Sequence, residues 1–542
     1  MRKPMVRLII VLALIGMATP AISERAGKAG KTGKARQANR LVAEGEDADE
    51  ANGPTTNVPL PPPPEHPVMF PNCGIYDLEG KTDFPFIRGE QIGLQWAQCE
   101  PEEGKYDFSA VDKGLEKAIQ KKRCVVIKLN GNNKPDYLFN KVPSHPEVWD
   151  VQVNDKRTLM FWHENFKTAY FRLLAAYADY LKKNPHKDII TGLRLNYDAI
   201  GTEHWEVPAQ CLPLSQWECP PGVAQGPEYS REMVDQYKSQ VVDVFVKNFV
   251  PDFRVFCRTN IEQGALAKHA DLFATGKMGW FHTGAGMEEN QCFNQEHRYS
   301  RFLAYCRPGY SYGFTESASI TKWMPKFDYS VTQWEYWRVL SELNAGVSYL
   351  SFYPNELTKA ADNPAIRDAY VFGAKYAGYH AQPATSPGAW VALRGKGLHF
   401  PGDYTFLMSR WQEDASTEVT MAGSKDQPFG AWARSLPPNQ GMYFNLHDKF
   451  FASRGEKGVA AALRVVYLDT GKSAWELRYD GMGAAEQRAL AVTNADSGQW
   501  KEAQVDIADG RFENRSPHGA DVVLFNTGPG AVVFHFVELT RK

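Results

Sequence analysis

The stretch Arg123-Cys124-Val125-Val126-Ile127-Lys128-Leu129-Asn130-Gly131-Asn132-Asn133 sets the architecture of this chain. Its β-branched run reads as a buried strand, and Gly131-Asn132-Asn133 closes it with turn chemistry. Helical spacing flanks it, from Phe108 to Lys122 before and in the amphipathic run Phe166 to Lys183 after. Working outward, strands are expected at Met69 to Tyr76, Gln91 to Gln98, Ile189 to Ile200, Arg254 to Asn260, Met278 to His282, Tyr310 to Glu316 and Val347 to Tyr353. Helices are expected at Met233 to Phe249, Trp334 to Leu343 and Ala365 to Tyr379. Eight strands in βα alternation over about 315 residues predict a (β/α)8 TIM barrel with enlarged loops.

Past Ser386 the helical period disappears. Short runs stand between Gly/Asp/Asn/Pro turns: Tyr404 to Trp411, Thr417 to Thr420, Gly441 to Leu446, Leu463 to Leu468, Ala474 to Tyr479, Ala489 to Thr493, Val522 to Phe525 and Ala531 to Leu539. Such spacing predicts an antiparallel β-sandwich, with the last, two-sided run at its centre.

The 542 residues exceed one compact core, and a net charge of −2 invites no polyanion, so nucleic acid is excluded as a partner. Arg2, Lys3 and Arg7 precede the apolar run Leu8 to Met17 and the small-residue stretch Ala18 to Ser23. This reads as a signal peptide over residues 1–23, because a membrane anchor needs roughly twenty apolar residues. The mature protein is therefore expected to be secreted or periplasmic, with no membrane partner. Residues 24–66 read as a low-complexity linker. The barrel is assigned to residues 67–385 and the sandwich to 386–542.

All eight cysteines fall between Cys73 and Cys306. Export favours disulfides, with Cys211–Cys219 and Cys292–Cys306 as local pairs. Cys124 and Cys257 lie in strand runs where a buried thiol fits at least as well. With no CxxC or Cys/His cluster, neither a metal nor an organic cofactor is expected. Oligomeric state stays open.

Two stretches carry the chemistry, Asn196-Tyr197-Asp198-Ala199-Ile200-Gly201-Thr202-Glu203-His204-Trp205 and Tyr312-Gly313-Phe314-Thr315-Glu316-Ser317. Each puts a glutamate just past a strand, and the intervening chain is long enough for roughly three βα units. A parallel barrel gathers its strand ends at one mouth, and two carboxylates across a sugar ring suffice to cleave a glycosidic bond. Sugar recognition further needs flat apolar faces beside polar groups. Trp96, Lys128, Asn130, Asn196, His204, Trp205, His282 and Tyr353 stand at the strand ends as candidates. The Lys128 stem either snorkels to the surface or aims its ammonium into the pocket.

The segment Gln95-Trp96-Ala97-Gln98-Cys99-Glu100-Pro101-Glu102-Glu103-Gly104-Lys105-Tyr106-Asp107-Phe108 resembles the W-x-x-x-E-P-x-x-G-x-Y-x-F segment of clan A retaining glycosidases, including β-galactosidase-like and agarase-like families. That resemblance covers residues 69 to 383. It implies Glu203, at the end of strand four, as general acid/base and Glu316, at the end of strand seven, as nucleophile. The clan's Asn-Glu pair on strand four is absent here, leaving Asp198 and Glu206 as alternatives to Glu203. Glu262, Glu288, Glu289 and Glu356 also follow strands.

Galactose-containing polysaccharides such as agar or carrageenan are the substrate class that the resemblance implies. The rival reading is a non-catalytic secreted glycan-binding protein on the same scaffold. In the C-terminal region Trp475, Tyr479 and Trp500 stand either as a carbohydrate platform or as core rings.

Overall fold

The structure is a computed structural model that describes residues 68–130, 133–146, 157–197, 213–258, 263–285, 313–317, 330–395, 402–420, 422–423, 427–451 and 455–542. Eight parallel strands pair around a closed ring. They are β1 (Gly74–Asp77), β2 (Ile87–Gln95), β3 (Cys124–Asn130), β4 (Ile190–Arg194), β5 (Val255–Arg258), β6 (Met278–Ala285), β7 (Gly313–Ser317) and β8 (Tyr349–Phe352). β8 returns to β1 with Gly74 opposite Tyr349, so the ring has no open edge.

Helices follow most strands: α1 (Ser109–Gln120), α2 (Glu164–Lys183), α3 (Arg231–Phe249), α4 (Val331–Asn344) and α5 (Pro364–Tyr376). Their starts are written locally. Ser230 caps the Met233 amide, Ser330 and Gln333 form a capping box, and Asn363 caps Ala365 and Ile366 with Pro364 in the first turn. β1 passes to β2 without a helix. The buried Asp77 carboxylate closes that loop by accepting from the amides of Glu79, Gly80 and Thr82 and from the Thr82 hydroxyl.

Strand alternation divides the side chains between two cores. Ile75, Ile92, Leu94, Val125, Ile127, Leu129, Leu193 and Leu350 face outward and pack with the helices. Tyr76, Val126, Phe256, Phe281 and Tyr349 form a separate cluster with Phe70 and Leu78 inside the ring. Tyr349 meets Tyr76 at 5.3 Å and Phe256 at 5.5 Å, both edge-on, and stacks on Phe70 at 5.9 Å. The expected first strand therefore begins later, at Gly74, because Phe70 plugs the floor instead of extending the sheet.

The C-terminal region forms two antiparallel sheets. One contains β9 (Gly388–Ala392), β10 (Tyr404–Phe406), β12 (Thr417–Thr420), β13 (Trp432–Leu436), β15 (Val459–Asp469), β18 (Gln499–Gly510) and β20 (Val532–Arg541). The other contains β11 (Met408–Arg410), β14 (Gly441–Leu446), β16 (Ala474–Tyr479), β17 (Gln487–Thr493) and β19 (Val522–Asn526). β20 pairs with β9, β13 and β15, the central place expected for the last run. The sheets share one apolar cluster, with Leu463, Val465, Phe534 and Val537 from the first and Phe444, Leu477, Val522 and Leu524 from the second. Trp475 and Tyr479 lie inside this cluster, so neither ring is offered to a glycan. Trp500 packs half-buried against Phe429 and His535.

α4 is buried on nearly every face, because the ring lies on one side and the C-terminal sheets on the other. The Trp337 indole N–H donates to the Gly430 carbonyl at 3.0 Å, and its ring meets Trp432 edge-on at 4.7 Å. The Tyr336 hydroxyl lies 2.8 Å from His535 Nε2, while His535 Nδ1 lies 3.1 Å from the Trp432 carbonyl. A carbonyl only accepts, so Nδ1 carries the proton and Nε2 accepts from Tyr336. Burial pushes this imidazole down to about 3. Deeper in α4, Arg338 pairs with Glu335 and with Glu356. Among the described cysteines, Cys73, Cys124, Cys219 and Cys257 are free thiols, and Cys211, the expected partner of Cys219, lies outside the described residues. Cys292 and Cys306 lie outside the described residues.

Candidate active site

The W-x-x-x-E-P segment is built around one buried carboxylate. Glu100 is fully buried, and its two oxygens accept from the Trp96 indole N–H at 3.0 Å, the Gly104 amide at 2.8 Å, the Tyr137 hydroxyl at 2.8 Å and the Arg172 guanidinium at 2.8 Å. Four donors, one of them cationic, keep the buried charge satisfied. Gly104 supplies the left-handed backbone, at φ 72°, that turns its amide toward Glu100. Phe108 then packs on Tyr177 and Tyr180, seating α1 against α2.

This corrects the expectation for Trp96. Its ring is fully buried against Phe166 and Tyr170, and the chain turns helical at Trp96–Cys99 instead of remaining strand to Gln98. Trp96 anchors the end of β2 and leaves no ring face for a sugar. Glu356 is also spent, fully buried and paired with Arg338, so it drops out as a candidate carboxylate. Trp217, in the loop after β4, is buried edge-on against Trp162 at 5.0 Å.

Along β3, β4 and β8 the interior changes character toward the C-terminal end. Residues two apart read Val126 then Lys128, Gly192 then Arg194, and Tyr349 then Ser351. Register ties these positions into rows. Lys128 lies opposite Gly93 and Arg194, while Glu316 lies between Thr283 and Ser351. Arg194 is fully buried, donates to Gln91 Oε1 at 3.0 Å and stands 4.2 Å above the Phe281 ring. Lys128 is half-buried on the interior face of β3, which favours the inward of its two expected orientations. A Cβ on Gly93 would meet nothing within 4 Å, so the wall beside Lys128 opens onto free space among the described residues.

Asn196 follows β4, fully buried, and donates through Nδ2 to the Leu129 carbonyl. Its Oδ1 has no hydrogen-bond partner among the described residues, while its own carbonyl accepts from the Tyr170 hydroxyl at 2.7 Å. Tyr353 follows β8, half-buried against the interior aromatic cluster. Asn130 and His282 occupy strand positions opposite Gln95 and Thr315, and their side chains lie outside the described residues, as does that of Glu316. Glu203, His204, Trp205, Asp198, Glu206, Glu262, Glu288 and Glu289 also lie outside them.

Residue reasoning missed Gln91 and Arg194. For Arg194 the signal was a charge ending an otherwise apolar strand, the same signal that marked Lys128, whereas the neutral Gln91, inside β2, carried none.

The ring thus has an aromatic floor and, at the strand ends, a polar mouth. Residues 91–186 match the family model for the β-galactosidases of glycoside hydrolase family 42, and Gln95–Phe108 lies within the matched stretch. Over that segment the chain is similar to β-galactosidases. No curated protein matches the chain. Solved structures with similarity include the β-galactosidase from the haloarchaeon Halorubrum lacusprofundi (11% identity, 57% of this chain and 58% of that one, TM-score 0.33). A β-galactosidase from Marinomonas ef1 (10%, 56% and 59%, 0.34) and the β-amylase catalytic domain from Paenibacillus polymyxa (8%, 54% and 94%, 0.31) are also similar. The chain spans less than two thirds of both β-galactosidases.

Proposed function

We propose that the protein is a secreted or periplasmic retaining glycoside hydrolase that cleaves β-glycosidic bonds in a galactose-containing polysaccharide, such as agar or carrageenan, or in its oligosaccharides. Residues 67–385 form its complete (β/α)8 catalytic barrel and residues 386–542 an accessory sandwich. Glu316 is the nucleophile and Glu203 the general acid/base. The observation that carries the reading is the row Thr283–Glu316–Ser351, which sets a glutamate at the C-terminal end of β7 where the interior turns polar. Retention needs the two carboxyl groups about 5–5.5 Å apart, one ionised and one protonated. Lys128 and Arg194 lie on the same wall and favour an ionised carboxylate near them.

The test incubates wild type and Glu316→Gln with aryl β-galactosides, agarose and carrageenan, following new reducing ends and the anomeric configuration of the first product. Release by wild type alone, with the β-anomer formed first, is expected. Equal release by both proteins removes Glu316 from its role. Release by neither, with affinity retained, gives the non-catalytic glycan-binding reading.

A further inference from the structure

A second candidate site lies on the solvent face of the smaller C-terminal sheet. A groove of about 660 Å³ opens between the end of β11, β14 and the loop before β19, within the range of small-ligand sites. Its walls are aromatic. His518 stacks on Trp411 with ring centroids 3.5 Å apart and 8° between planes, and Tyr443 meets both edge-on, at 6.0 Å from Trp411 and 4.8 Å from His518. All three rings keep contact with solvent, unlike Trp475 and Tyr479 on the opposite face of the same sheet.

The polar lining is an ordered amide relay. Asn445 Nδ2 donates to Asn514 Oδ1 at 2.7 Å and to the Gly519 carbonyl at 2.6 Å, and Asn514 Nδ2 donates to Asp448 Oδ1 at 3.2 Å. The buried Asp521 carboxylate holds the loop by accepting from the amides of Leu446 and Asn514, each at 2.9 Å. Trp411, Tyr443 and Glu413 line the groove beside this relay. His518 is held at φ 60°, ψ 20°, a left-handed conformation that L side chains rarely adopt. A strained backbone persists where the surroundings over-determine it, which marks candidate ligand clamps.

We propose that this groove binds a neutral pyranose chain, giving the protein a glycan-anchoring site separate from the barrel mouth. Aromatic rings beside amides suit a sugar, whose ring offers CH patches and hydroxyls together. Charge selects the kind of glycan. The lining carries the exposed carboxylates of Glu413 and Asp448, and its cation, Arg410, is buried and already paired with Asp403 and Asp414. A sulfated chain meets like charge there, and a neutral one does not.

The experiment uses the full chain in native gels containing neutral galactan, agarose or κ-carrageenan, with aryl-glycosidase activity read in parallel. Retardation by a neutral polysaccharide, weak retardation by κ-carrageenan and about tenfold weaker binding for Trp411→Ala are expected, with aryl-glycosidase activity unchanged. His518→Gly relieves the backbone strain while leaving Trp411 in place. It is expected to weaken binding without lowering the melting temperature, which keeps the test decisive if Trp411→Ala fails to fold. No retardation by any neutral glycan, retardation equal in wild type and both variants, or a preference for κ-carrageenan that Trp411→Ala removes overturns the proposal. Groove-dependent binding by a chain without glycosidase activity supports this site and removes only the reading of the barrel.

Discussion

The two halves of the ring interior face the same axis and are built from the same strands, yet they are chemically opposite. The lower half is aromatic and closed, with Phe70, Phe256 and Tyr349 in mutual contact and Tyr76 fixed by Thr191 at 3.0 Å. The upper half carries Gln91, Lys128, Arg194, Asn196 and Ser351, and by register Glu316. The packed floor lies below and the proposed chemistry above, and the dividing line between them is two residues wide along β3, β4 and β8. A barrel can therefore change its chemistry by altering strand ends while its floor stays fixed.

Substitutions above and below that line test the division. The largest effect is expected for Glu316→Gln, which lowers hydrolysis by roughly four orders of magnitude while thermal unfolding stays within about 1 °C of wild type. An equal loss of melting temperature would assign Glu316 to the floor's structural role. Phe256→Ala should do the reverse. It leaves a cavity among five packed rings, lowering the unfolding free energy by about 3–5 kcal/mol in denaturant titrations, with kcat near wild type at temperatures where the variant is folded.

Arg194→Met falls on the boundary. It strips the half-buried Gln91 of a cationic donor, costing about 1 kcal/mol, and a change in kcat/KM should accompany the loss. Stability loss without any kinetic change would move the line upward past Arg194.

The smallest effect comes from His535, outside the ring, and serves as a control. Its folded-state value of about 3 lies below the usual 6.5, so as pH falls through 6.5 the unfolded chain takes a proton that the folded one refuses. Stability is therefore expected to drop by about 2 kcal/mol between pH 6.5 and 5, read as melting temperature against pH. His535→Gln should flatten that limb and leave activity alone. Glu342, buried on α4, works in the other direction. Burial pushes its carboxyl up to about 8, so the folded state keeps a proton that the unfolded chain releases as pH rises from 4.5 to 8, and stability falls over that range.

How legible this was in the sequence depends on where each signal resides. The parallel ring was readable because β-branched runs and helical spacing alternate with different periods, as at Cys124–Asn130 and Glu164–Lys183. Gln499–Gly510 was not. Among the described strands it pairs with β15, leaves much of its length to solvent, and so needs no apolar alternation to form a strand. Gly388–Ala392 and Trp432–Leu436 were too short and too mixed to stand out, although they are fully paired in the first sheet. Trp96 was legible as an aromatic at a strand end but not as a buried one. Its burial depends on Glu100 meeting Tyr137 and Arg172, residues brought together by three different elements. Glu356 failed for the same reason, since its partner Arg338 sits on α4.

Because one continuous apolar mass runs from the ring through Trp337 into Trp390, Trp432 and Phe536, the C-terminal sheets are not a detachable appendage. Truncating the chain near residue 386 would strand a tryptophan, a tyrosine hydroxyl and the outer face of α4 in water. Engineers seeking a minimal catalyst would obtain inclusion bodies, and grafting a foreign module in place of the sheets would first require resurfacing that helix.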